Sequence, residues 1–194
     1  MKTPEGEARE LTAGEIAMVC TIFKDSIDYS RVLVHNGEYL WFGLQPCDTA
    51  MTPNGEIYFN PTHFQEDFSA VREAVIKHWF VHEMTHVWQY QLGYPVKLRG
   101  AIRIGLSYRY RLGKGRKLSD YNMEAQGDVL ADYFALKILN KPDAMREIGY
   151  AASLTTYEKE TLIDFLANPA NSASLPGGRW RKRRLLASTV RSAD

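Results

Sequence analysis

Short runs of β-branched and aromatic residues occupy much of the first third of this chain. They predict strands at residues 31–35, 39–42, 50–52 and 56–60. An Asn36-Gly37 pair follows the first run, and Pro53-Asn54-Gly55 separates the last two. Both sequences are typical of turns, and the second predicts a hairpin. This part of the chain therefore predicts a small β-sheet.

Apolar residues at helical spacing mark five other stretches. The predicted helices cover residues 12–24, 70–92, 119–139, 144–152 and 155–167. Thr12 and Glu15 form a capping box for the first helix, and Glu158 completes one in the last. Ser69 is the expected N-cap of the second helix, and Gly93 follows its end. The buried side of that helix is predicted to hold Val75, Trp79, Phe80, Met84 and Val87. Strands mostly precede helices, which favours an α+β fold.

The chain has 194 residues, which is enough for one domain with its own core. We predict a loose leader over residues 1–10, a domain over 11–168, and a linker with a basic tail over 169–194. The leader lacks the apolar segment of a secretory signal, and no apolar run is long enough to span a membrane. Cys20 and Cys47 make no C-x-x-C pair; they could form a disulfide in an oxidising compartment, but we expect two buried free thiols.

Charge is balanced overall but unevenly distributed. The formal net charge is +1, yet residues 97–117 are rich in lysine and arginine and contain no acid. Residues 179–191 form a second basic segment. Such an arrangement indicates either an anionic partner or a solvated face.

The sequence His82-Glu83-Met84-Thr85-His86 lies inside the second predicted helix. Residues four apart share one face of a helix, so both imidazoles can bind one metal ion. Glu83 lies beside the first of them, where its carboxylate can accept a proton from an attacking water. This pattern predicts a zinc-dependent hydrolase site.

A catalytic zinc site needs a third protein ligand. Gln89 and Leu92 stand where one class of zinc peptidases would have glycine and histidine, which excludes that class. The next helix offers Glu124 and Asp128, one turn apart. We predict that Glu124 binds zinc and that Asp128 orients a ligand histidine, with Asp128 or Asp132 as the alternative third ligand. His78, one turn before His82, is expected in the core or beside the site.

Peptide hydrolysis at such a site also needs a donor for the developing oxyanion. The sequence leaves several candidates open: Tyr108, Tyr110, Tyr121 and His63. We further expect residues 56–60 to form an edge strand that could pair with an extended substrate.

The combination of His82-Glu83-x-x-His86 with Glu124-x-x-x-Asp128 resembles the gluzincin peptidases. A broader resemblance is to the Vgr-related metallopeptidase domains of type VI secretion. Its motifs are Leu11-Thr12-Ala13-Gly14-Glu15-Ile16, Ile27-Asp28-Tyr29-Ser30-Arg31-Val32, Met51-Thr52-Pro53-Asn54-Gly55-Glu56-Ile57-Tyr58-Phe59 and the metal motif extended to Gln89. The likeness runs from about residue 11 to residue 140.

These resemblances imply a zincin-like, minimal gluzincin fold: a small N-terminal β-sheet packed on the metal-motif helix and a second, glutamate-bearing helix. They also imply an antibacterial zinc endopeptidase, delivered from the producer cytoplasm into the periplasm of a target cell. The implied partners are a protein or peptide substrate, a cognate immunity protein, and a VgrG spike or adaptor.

Two other classes stay open at this point. SprT-like proteases carry the same motif and act near nucleic acids, but they use a third histidine, and no histidine follows His86. We therefore expect no nucleic-acid partner. A non-catalytic, zinc-stabilised spike or adaptor module is the other alternative.

Overall fold

The computed structural model describes residues 2–39, 49–98, 110–146 and 153–178. Its strands are β1 (Ala8–Glu10), β2 (Leu33–Asn36) and β3 (Ile57–Phe59). Its longer helices are α1 (Ala13–Phe23), α2 (Ala74–Gln91) and α3 (Met123–Lys137). Two short helices, α4 (Leu154–Thr156) and α5 (Ile163–Ala167), flank a π-helical turn at Tyr157–Thr161. The predicted α+β class is confirmed. Within these residues, no helix is both long and apolar enough to cross a bilayer.

The three strands form one sheet in the order β1-β2-β3, with β1 antiparallel and β3 parallel to β2. Side chains alternate across it, so Ile57 and Phe59 are buried while Tyr58 faces the other side with His35. The predicted hairpin is confirmed as a bridge between Met51 and Tyr58. That bridge also covers the outer side of β3 at Tyr58, where we predicted an open edge. Residues 40–42 of the strand predicted at 39–42 lie outside the described residues.

The first ten residues are part of the fold, contrary to the predicted loose leader. β1 belongs to the sheet, and Arg9 donates two hydrogen bonds of 2.8 and 2.7 Å to Glu15. Glu15 is fully buried in α1, where it closes the predicted capping box with Thr12 and also accepts from the amide of Phe68. The carboxylate thus joins three segments around one buried charge.

Replacing Arg9 with methionine should destabilise the protein by about 3–5 kcal/mol, because it leaves the Glu15 carboxylate buried without its cation. Urea unfolding at pH 7 measures this as a lower midpoint at unchanged slope. The exposed Arg72 provides the matched control, since Arg72→Met should change stability by less than about 0.5 kcal/mol. Equal midpoints for the two variants would show that the Arg9–Glu15 ion pair does not stabilise the fold.

Helix α2 begins at Ala74, four residues later than predicted, because Ser69 bonds to Asp67 in a turn instead of capping the helix. Its end is as predicted: Gly93 has φ of 84°, and the amides of Gly93 and Tyr94 bond back to Tyr90 and Gln89. Phe80, Met84 and Val87 are fully buried and Trp79 is partly so. Val75, predicted to be buried, is 54% exposed.

Helix α3 lies against α2 and is the most buried helix of the fold. It begins at Met123 after an Asn122 N-cap, because Ser119 and Asp120, predicted as its start, belong to a separate 3₁₀ turn, Leu118–Asp120. The helix predicted at 144–152 is not continuous, since Met145 is extended; residues 147–152 lie outside the described part of the chain. The last helical stretch is capped by Ser153, and Glu158 instead contacts Tyr133 and Lys137.

Residues 169–178 pack on the domain, although they were predicted to start a linker. The indole of Trp88 donates to the carbonyl of Pro169 at 2.8 Å, and Gly177 bonds to Ser119. Ser174 and Leu175 are buried. The predicted boundary after residue 168 therefore cuts through packed structure. Cys20 is a free thiol but is partly exposed, not buried as predicted, whereas Cys47 and the basic tail from residue 179 lie outside the described residues.

Candidate metal centre

Helices α2 and α3 bring three metal-binding groups to one point. The Nε2 atoms of His82 and His86 are 3.2 Å apart. Oε2 of Glu124 lies 3.4 Å from the first and 3.3 Å from the second. All three side chains are buried, and among the described residues they form the one group of at least three candidate ligands. The predicted third ligand, Glu124, is thus the residue that the fold places beside both histidines.

The spacing of these atoms suits a tetrahedral ion. Zinc binds nitrogen and carboxylate oxygen at about 2.0–2.2 Å, which places neighbouring ligand atoms about 3.3 Å apart in a tetrahedron. The three observed separations match that value. Two imidazoles and one carboxylate are also a donor set that zinc accepts. The residues present therefore fit a zinc ion with a fourth position outside this triangle.

The ionisation of the three groups is strongly coupled. Burial by itself lowers the pKa of His82, but hydrogen bonds to Asp128 and Glu124 and the nearby Glu83 charge raise it to about 10. Burial likewise opposes charge on His86, whereas Glu124 raises its pKa. Burial favours the neutral acid at Glu124, but the two imidazoles hold its pKa well below the usual range. The carboxylate is therefore ionised at neutral pH and attracts a cation.

Each histidine is oriented through its other ring nitrogen. Nδ1 of His82 lies 2.8 Å from Oδ1 of Asp128, which is the contact predicted from the spacing of Glu124 and Asp128. Nδ1 of His86 lies 2.8 Å from Oε1 of Gln89. These contacts direct both Nε2 atoms towards Glu124.

The absence of a side chain at Gly127 makes room for the His82 ring against α3. A Cβ atom on Gly127 would lie 2.6, 2.7 and 2.9 Å from Cε1, Nδ1 and Nε2 of that ring. Real Cβ contacts do not come this close, so any side chain here would displace the imidazole.

Glu83 is held by a residue of the 51–58 hairpin. The hydroxyl of Thr52 donates a 2.7 Å hydrogen bond to Oε2 of Glu83, and both side chains are buried. The Glu83 carboxylate is close enough to raise the pKa of His82 and of His86. The hairpin therefore fixes one oxygen of the candidate base beside the metal-binding triangle.

Asp132 is not the third ligand. It belongs to a separate buried cluster, in which it lies 2.6 Å from Nε2 of His78 and accepts from the amide of Arg146. Tyr110 donates to the same carboxylate at 2.6 Å and contacts Tyr157. His78 is accordingly a core residue, one of the two placements we expected for it.

Three of the four predicted oxyanion donors make contacts with other groups in the described structure. The hydroxyl of Tyr110 is bonded to Asp132 and that of Tyr121 to the carbonyl of Arg111. His63 packs edge-on against Trp79, with ring centres 5.4 Å apart. Tyr108 lies outside the described residues. Tyr110 in particular cannot serve while Asp132 and Tyr157 occupy its hydroxyl.

Sequence reasoning missed Thr52, Gln89, Gln126 and Gly127. Only Gln89 carried a usable signal, because it lies three residues after His86 on the same helix, within reach of that side chain. The other three depend on how separate segments meet. Their roles could not be inferred from local spacing.

This α+β domain is similar to an effector domain of type VI secretion. The chain belongs to the family of Vgr-related effector domains. The solved effector domain of Pseudomonas aeruginosa VgrG2b is 40% identical, with a TM-score of 0.61 over 74% of this chain and 84% of that one. No family model matches the chain.

The type VI secretion system spike protein VgrG2b of Pseudomonas aeruginosa is 42% identical over an alignment of 147 residues that covers 69% of this chain. The match spans only 14% of that spike protein. The similarity therefore concerns the effector part of VgrG2b and not the spike as a whole.

Proposed function

We propose that this chain is a zinc metallopeptidase with a zincin-like, minimal gluzincin fold, acting as an antibacterial type VI secretion effector. The observation that carries the proposal is the triangle of His82, His86 and Glu124, whose edges suit tetrahedral zinc. Glu83, next to the first ligand, supplies the second requirement of hydrolysis, a positioned base.

Different side chains of this protein would bind the metal and transfer the proton. His82, His86 and Glu124 would hold the ion, with Asp128 orienting His82. When bound, zinc polarises a scissile carbonyl and makes a water molecule more acidic. Glu83 accepts the proton of the attacking water and passes it to the leaving amine. The hydroxyl of Thr52 donates to Oε2 of that carboxylate, so Oε1 is the oxygen that would accept the proton.

Family membership supports the delivery part of the proposal. The proposed carrier is a VgrG spike or adaptor, and the proposed site of action is the periplasm of the target cell. A cognate immunity protein would protect the producer. The nucleic-acid-associated alternative is less favoured, because those proteases use a third histidine whereas Glu124 lies beside His82 and His86 here. The non-catalytic alternative would leave Glu83 with only its hydrogen bond to Thr52 as a role.

A hydrolysis assay tests the proposed activity. Zinc-loaded protein should generate new amino termini in denatured polypeptides, a chelator should stop the reaction, and added zinc should restore it. In bacteria, a version carrying an export signal should arrest growth, whereas its Glu83→Ala variant at equal expression should not. Equal toxicity of the two exported proteins would reject the peptidase.

Zinc binding at pH 7 should release protons. His82, with a pKa of about 10, is protonated in the metal-free protein and must lose a proton before Nε2 can bind a metal. The affinity should therefore fall about tenfold per pH unit for each proton released as the pH is lowered. Calorimetry in two buffers of different ionisation enthalpy measures the release. Identical heats in both buffers would contradict it.

A further inference from the structure

The buried side-chain amides of Gln126 and Gln89 are hydrogen-bonded in series, and the series begins at two main-chain carbonyls. Nε2 of Gln126 donates to the carbonyl of Leu118 at 2.8 Å and to that of Ser174 at 2.9 Å. Carbonyl oxygens can only accept, so both hydrogens of this amide are committed and its orientation is determined. Oε1 of Gln126 must therefore point the other way, towards Gln89.

The orientation of the Gln89 amide follows from that of the Gln126 amide. Nε2 of Gln89 donates to Oε1 of Gln126 at 3.0 Å and to the carbonyl of Met123 at 3.1 Å. Its own Oε1 then faces Nδ1 of His86 at 2.8 Å and can only accept. Nδ1 of His86 must consequently carry a hydrogen, and Nε2 is the nitrogen left to bind a metal.

We propose that Gln89 is a positioning residue for His86 and that Gln126 acts through it. Together they determine which nitrogen of His86 meets the ion. The inference rests on His86 being a metal ligand, as in the proposed function. Both glutamines are fully buried, so water does not compete for these hydrogen bonds.

The two histidines are thus oriented by different chemistry. A carboxylate, Asp128, holds His82, whereas a neutral amide holds His86. The amide needs its own orientation determined, because either of its ends could otherwise face the ring. The carbonyls of Leu118 and Ser174 fix the Gln126 amide, which in turn fixes the Gln89 amide. The segment around residue 174 therefore influences the orientation of His86 through these two glutamines.

The test compares zinc affinity and stability in Gln89→Met, Gln126→Met and the double variant. Gln91→Met is the matched control, since Gln91 lies on the same helix but bonds to Asp28 at the surface. Competition with a coloured chelator gives the zinc dissociation constant. The visible spectrum of the cobalt-loaded protein reports the ligand geometry, and metal-free melting reports folding.

We expect Gln89→Met to weaken zinc binding about 10- to 100-fold and to change the cobalt spectrum, with Gln91→Met unchanged. Gln126→Met should weaken binding less, and adding it to Gln89→Met should have no further effect. If the losses in zinc affinity were additive, Gln126 would not act through Gln89, and that part of the proposal would be overturned.

The result also separates this inference from the proposed function. Failure of the wild type to bind zinc would overturn both. Tight wild-type binding with Gln89→Met within about twofold of it would overturn the amide chain alone, because removing a residue that orients a metal ligand should cost far more affinity. Should Gln89→Met fail to fold, Gln126→Met decides: unchanged affinity and spectrum in that variant reject the proposal.

Discussion

Replacing Glu83 with glutamine should lower kcat by about a hundred- to ten-thousandfold, which is the usual contribution of a positioned general base. The amide keeps the size of the side chain and can still accept from the hydroxyl of Thr52. It cannot take up a proton from water at neutral pH. Zinc content and melting temperature should stay close to those of the wild type. Steady-state peptide hydrolysis and metal analysis on the same preparation measure both outcomes.

A matched control lies ten residues earlier. Glu73 precedes α2, is exposed, and makes no side-chain capping bond, so Glu73→Gln makes the same chemical change away from the site. We expect its kcat to equal that of the wild type. Loss of zinc in Glu83→Gln would instead assign a structural role to the carboxylate. Full activity of that variant would remove Glu83 as the base.

Replacing Gly127 with alanine should weaken zinc binding about a hundredfold, although no ligand is changed. The added Cβ would lie 2.6–2.9 Å from three atoms of the His82 ring, and Asp128 holds that ring in place. Alanine favours a helix interior by about 1 kcal/mol over glycine, but overpacking costs about 1–3 kcal/mol. The steric effect should prevail, so the metal-free protein is slightly destabilised while the affinity drops sharply.

Gly113 is the control for this substitution. A Cβ there would meet only the flexible side chain of Arg116, at 3.0 Å, so Gly113→Ala should bind zinc as the wild type does. Chelator competition and thermal melting on both variants provide the measurements. Wild-type zinc affinity in Gly127→Ala would show that the His82 ring can be displaced without loss of metal binding and would contradict this prediction.

The parts of the fold that follow from local sequence were predictable. Thr12 and Glu15 lie three residues apart, and Glu124 and Asp128 one turn apart, so spacing alone indicates which side chains can act together. The end of α2 was predictable for the same reason, since Gly93 adopts a backbone conformation that other residues avoid.

Features that depend on contacts between distant segments could not be predicted in this way. The hairpin brings Thr52 to Glu83 across 31 residues, and Gln126 reaches Ser174 across 48. Residues 169–178 were predicted as a linker because they are small and polar. Their main-chain groups nevertheless bond to buried side chains of α2 and α3. Composition describes the side chains of such a segment and not the partners of its backbone.

The proposed function requires that His82, His86 and Glu124 bind one zinc ion and leave a position for water. A crystal structure of the zinc-loaded protein, with anomalous data collected at the zinc absorption edge, tests it most directly. We expect one anomalous peak within bonding distance of Nε2 of His82, Nε2 of His86 and a carboxylate oxygen of Glu124, with a fourth ligand that is not protein. A peak elsewhere, or a fourth protein atom completing the tetrahedron, would contradict it.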